Sequence, residues 1–131
     1  MRLRGRCLTL RAVLAAVTVV VLMPAVPAAA QAPVPLGGGS GLVVDGETLC
    51  TLTAIGNDNQ GRLIGFTSAH CGGPGAVVAA EGAENAGVVG TMVAGNDALD
   101  YAVIEFDPGK VAPVSAVDGF RIDGLGPDPS F

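Results

Sequence analysis

The 131-residue chain has room for one ordinary domain, or for part of a two-domain protein. Its formal net charge is −5, yet four of its seven basic residues fall within the first eleven positions. Beyond residue 30, Arg62, Lys110 and Arg121 face all twelve carboxylates, a net of −9; such a surface repels phosphate backbones and excludes nucleic acid and anionic lipid as natural partners.

Residues 1–30 read as a signal peptide. Arg2, Arg4, Arg6 and Arg11 make a basic start, Ala12 to Met23 is an apolar run, and Pro24 and Pro27 break it. Ala28-Ala29-Ala30 then supplies the small residues of an A-x-A cleavage site, leaving Gln31 as the new N-terminus. The run is shorter than the roughly 20 apolar residues a membrane span needs. The expected product is therefore secreted, with no membrane association after cleavage. Cys7 leaves with the leader, and Cys50 and Cys71 remain as an even pair in an oxidising compartment, where a disulfide is the default.

Residues 31–41 (QAPVPLGGGSG) are Pro-rich and then Gly-rich, and read as a flexible lead-in. Ser40 lies in that run without the final glycine of a G-x-S-x-G nucleophile elbow, so it is a linker serine. From Leu42 the pattern changes to short apolar stretches separated by turn residues. Leu42–Val44 precedes Asp45-Gly46, a strong hairpin signal. Strands are expected over 49–55, 63–67, 76–80, 86–93 and 101–106, a spacing that predicts an all-β barrel or sandwich. Gly65, Gly87, Gly90 and Gly95 suit bends and bulges in a tightly curled sheet. Asn57–Gly61 has the look of a calcium loop, but the twelfth position of that frame is Ser68, which cannot supply the bidentate carboxylate.

The single histidine, His70, follows an apolar strand and precedes a Gly-Gly-Pro turn, with a carboxylate candidate, Asp100, opening the last strong strand. A general base needs that kind of fixed placement. The segment Thr67-Ser68-Ala69-His70-Cys71 resembles the T-A-x-H-C motif of trypsin- and chymotrypsin-like peptidases, and Cys50 stands where that family places the partner of the histidine-loop disulfide. Asp100-Tyr101-Ala102-Val103-Ile104 is similar to the family's D-x-A-[LIV]-[LIV] aspartate motif. The short gap from His70 to Asp100 resembles the compact bacterial members, the streptogrisins and related secreted actinobacterial proteins. The likeness covers roughly residues 42–106.

What the resemblance implies is specific. The fold would be the N-terminal, six-stranded β-barrel half of a chymotrypsin-like double barrel, occupying residues 42–112, with the second barrel missing. His70 would be the general base and then the general acid, while Asp100 would fix its tautomer and stabilise the imidazolium. The family needs no cofactor and no metal, and its substrates are peptides and proteins. Its nucleophile sits in a G-D-S-G-G stretch, and none of Ser40, Ser68, Ser115 or Ser130 lies in one. Without that serine and its oxyanion donors, the residues present cannot form an acyl-enzyme. Residues 113–131, rich in Pro, Gly and Asp, read as an interdomain connecting segment interrupted at the crossover between barrels. Two rival readings follow from the same residues. One is a non-catalytic binding or structural module that self-associates through its exposed half-barrel face. The other is a metal hydrolase using His70, Asp97 and Asp100, a poor zinc set with one histidine and two loop carboxylates.

Overall fold

The computed structural model describes residues 30–122. The leader up to residue 29 and the connecting segment from residue 123 lie outside the described residues. Among the described residues there are eleven strands: β1 (Val34–Leu36), β2 (Gly41–Val44), β3 (Thr48–Thr51), β4 (Ala54–Asn57), β5 (Leu63–Thr67), β6 (Val77–Ala80), β7 (Val88–Asn96), β8 (Tyr101–Phe106), β9 (Val111–Pro113), β10 (Ala116–Val117) and β11 (Phe120–Arg121). Seven of them form one antiparallel sheet in the order β3-β2-β6-β7-β8-β5-β4.

The two outer strands of that sheet are consecutive in the chain, separated by Leu52 and Thr53 alone. Leu52 N–H donates to the Ser40 carbonyl at 2.8 Å, on the β2 side, and Thr53 N–H donates to the Phe66 carbonyl at 2.7 Å, on the β5 side. The sheet therefore curls until one bent segment serves both of its ends. The bend is the reason the sheet has seven strands where six are expected: the single strand anticipated over 49–55 breaks as it changes partners, and Leu52 turns into the core.

Alternation then decides what faces inward. On β5, Leu63, Gly65 and Thr67 are buried while Phe66 faces out; on β8, Ala102, Ile104 and Phe106 are buried in turn. With Leu42, Val44, Leu52, Val78, Val89 and Met92 they fill the inside of the curl. Two glycines are required by close approach. A Cβ at Gly65 would lie 2.7 Å from Phe106 and 2.8 Å from Leu52, and one at Gly90 would lie 2.8 Å from Phe106 and 2.9 Å from the Glu105 carbonyl. The Phe106 ring thus occupies space that side chains at both positions would take. The ladder slips between Val78 and Ala79 and again between Met92 and Ala94, bulges of the kind that tighten a curled sheet.

The turns follow residue chemistry. Asp45 and Gly46 both have positive φ, 49° and 76°, as the primed hairpin turn between β2 and β3 requires. Asp118 and Gly119 repeat this at 50° and 83° between β10 and β11, inside the segment expected to be a plain connector. The expected lead-in likewise holds structure. Val34–Leu36 pair in parallel with Val111–Pro113, and Leu36 is buried, so the segment is anchored by backbone pairing and an apolar side chain rather than loose.

Candidate functional site

The ladder brings the two sequence motifs together. β5 and β8 are antiparallel neighbours, with Thr67 opposite Ala102. The chain leaves β5 and enters β8 at the same end of the sheet, so residues just past Thr67 and just before Tyr101 meet there.

Three features hold His70. Thr67, buried at the end of β5, donates its hydroxyl to the Thr51 carbonyl at 2.9 Å and ties β5 to β3. Ala69–Cys71 form a single 3₁₀ turn, closed by Cys71 N–H to the Ser68 carbonyl at 3.2 Å. Cys71 is buried and disulfide-bonded to Cys50 on β3, with Cα atoms 6.2 Å apart. Gly72 follows in a crowded place, where a Cβ would lie 2.9 Å from Val44 and 3.2 Å from the Met92 sulfur. The residue after His70 is thus locked inward while the imidazole projects to the surface, 73% exposed.

Asp100 is held from the other side. The turn before β8 is shaped by Leu99 N–H donating to Asn96 Oδ1 at 2.9 Å. Asp100 itself has φ 48°, a left-handed conformation that aspartate adopts more readily than most residues. Its carboxylate meets His70 twice over. Both oxygens lie 2.9 Å from His70 Nδ1, and Oδ1 also accepts the His70 backbone N–H at 3.2 Å. The hydrogen bond from the His70 backbone, followed by that from its ring, holds the Asp100 carboxyl below the usual carboxylate value. A carboxylate is an acceptor only, so a neutral His70 must place its proton on Nδ1. Nε2 is left as the lone-pair nitrogen, with no hydrogen bond among the described residues.

Neither the protein-family models nor the curated proteins give a match to this sequence.

An imidazole oriented by a carboxylate on one nitrogen and open on the other can take a proton from a nucleophile placed at Nε2. No serine hydroxyl occupies that position among the described residues. Ser40 Oγ accepts the Gly37 N–H at 3.0 Å within its own turn, Ser68 precedes the histidine turn, and Ser115 lies beyond β9. Nor do the described residues hold any group of three His, Cys, Asp or Glu side chains fit for a metal ion, and Asp97 does not join His70 and Asp100 in one. Concavities are formed by other residues. One of about 580 Å³ is lined by Val88, Thr91, Glu105 and Lys110, and an apolar one of about 440 Å³ by Ile55, Val114 and Ile122. The pair stands on open surface.

The calcium-loop look of Asn57–Gly61 also resolves. Asp58 accepts the backbone N–H groups of Gln60 and Arg62, both at 2.9 Å, and pairs with the Arg62 guanidinium at 2.8 Å, so its oxygens close the hairpin. The left-handed Asp100 and its Asn96 support are the parts of the site not read from sequence. The Asn96-Asp97 pair is their only local sign, a turn signal without direction.

Proposed function

We propose that this chain is the histidine- and aspartate-bearing part of an exported serine endopeptidase similar to the trypsin and chymotrypsin type, with His70 as general base and Asp100 as its orienting acid. One observation carries the reading: the His70 ring meets Asp100 through Nδ1 at 2.9 Å and leaves Nε2 open. In that arrangement His70 accepts the proton of an attacking hydroxyl and returns it to the leaving amine, while Asp100 holds the tautomer and stabilises the imidazolium. The curled sheet, with the Cys50–Cys71 disulfide behind the histidine turn, supports assignment as the first barrel of a two-barrel enzyme. The serine, the oxyanion donors and the substrate pocket are then supplied by polypeptide other than residues 1–131. The disulfide suits an oxidising, extracellular setting, and no described helix is long and apolar enough to cross a membrane.

The test is activity-based labelling of the exported protein with a serine-directed fluorophosphonate. Label is expected on a serine that lies outside this sequence but in the same protein or complex as His70. Asp100→Asn should slow labelling by roughly 10⁴-fold, the size of effect that losing the orienting carboxylate has in such triads. Labelling of Ser40, Ser68, Ser115 or Ser130, or no labelling at all, would overturn the assignment.

A further inference from the structure

We propose that the exported chain ends in a pyroglutamate lactam formed from Gln31. The inference rests on cleavage after Ala30, which belongs to the export reading above, and on where the structure puts the residue so exposed.

Residues 30–33 are exposed, and the first backbone hydrogen bond anchoring this end is Val34 N–H to the Lys110 carbonyl at 2.7 Å. Gln31 makes no hydrogen bond among the described residues, so nothing there holds its amine away from its own side-chain amide. It lines, with Ala32, Ala86 and Lys110, a concavity of about 180 Å³. None of those four residues is a carboxylate. Cleavage therefore creates an α-amine with no acid in the lining to hold it as an ion pair, and the Lys110 ammonium there donates to the Val88 carbonyl at 2.8 Å.

The step balances without any co-reactant. The neutral α-nitrogen attacks Cδ of the Gln31 carboxamide, the new N–Cδ bond closes a five-membered ring, and the Cδ–Nε2 bond breaks. Ammonia departs with the proton shed by the attacking nitrogen, and no atom changes oxidation state. The product has no terminal charge and no primary amine for an aminopeptidase to grip. Removal of a terminal charge is a covalent change with electrostatic consequences.

Intact mass and Edman sequencing of protein freshly collected from the medium test this directly. A mass beginning at Gln31 and lighter by one ammonia, with Edman sequencing blocked until pyroglutamyl peptidase is added, is the expected result. A mass beginning at Gln31 with a readable Gln-Ala-Pro start overturns the lactam and leaves the cleavage reading standing. A start at another residue overturns both. As a second measurement, a broad aminopeptidase should leave the exported wild type unchanged and should remove the first residue of the Gln31→Ala variant. Trimming of the wild type contradicts the proposal.

Discussion

Asp100 accepts three contacts from one neighbour, and its protonation should therefore report on the site. Its carboxyl titrates below the ordinary carboxylate value, chiefly because the His70 backbone N–H is bonded to it. A depressed folded-state pKa means that the stability it contributes is fully present above the unfolded value of about 3.9 and is lost as pH falls through the lower, folded value. Denaturant midpoints for wild type and Asp100→Asn should accordingly differ at pH 6 and converge as the medium is acidified below about pH 4. A difference that persists unchanged at low pH would place the effect in packing. The motif residues themselves were legible, because histidine and aspartate each stand in a run whose neighbours define them. The geometry at Asp100 was not, since a left-handed φ of 48° depends on the Asn96 turn and on the register of β8.

At the scale of elements, the histidine turn is held by a covalent tie and by close packing, and each can be removed separately. Replacing Cys50 and Cys71 together by serine opens a loop of 21 residues and should lower stability by roughly 3 kcal/mol. Urea denaturation measures it, and an unchanged midpoint would show that the disulfide contributes nothing to holding β3 against the turn. Gly65→Ala pushes a methyl into Phe106 and Leu52, with the Ala54 carbonyl 3.1 Å away. Overpacking of this kind costs about 1–3 kcal/mol, so the thermal midpoint should fall; an unchanged midpoint would show that the curl relaxes freely there. The strands of the large sheet could be read from β-branched runs between turn residues. The short pairs could not, because β1 and β9 have three residues each and meet only across the length of the domain. The Asp118-Gly119 turn carried the same hairpin signal as Asp45-Gly46. It was obscured because the strands on either side are two residues long and the surrounding sequence is rich in proline and glycine.

On the scale of the whole molecule, the core is closed but the surface is not. Leu49, Leu99, Phe120 and Ile122 are more than half exposed, and self-association would follow if such side chains form a contiguous patch. Sedimentation velocity should show association rising with concentration, and Phe120→Ser with Ile122→Ser should reduce it; a strictly monomeric wild type would contradict that expectation. The β class followed from composition and spacing. The curl did not, because it depends on β3 and β4 sharing one bent segment, which no local pattern announces. Within the curled sheet, the β5–β8 ladder places the end of β5 beside the start of β8 and so makes His70 and Asp100 a pair. His70 is the only histidine in the sequence, so its ring nitrogens can be observed without overlap by ¹⁵N NMR at a pH high enough to leave the imidazole neutral. The geometry requires the proton on Nδ1 and the lone pair on Nε2, with that preference lost in Asp100→Asn. A ring protonated on Nε2, or a tautomer indifferent to Asp100, would contradict it.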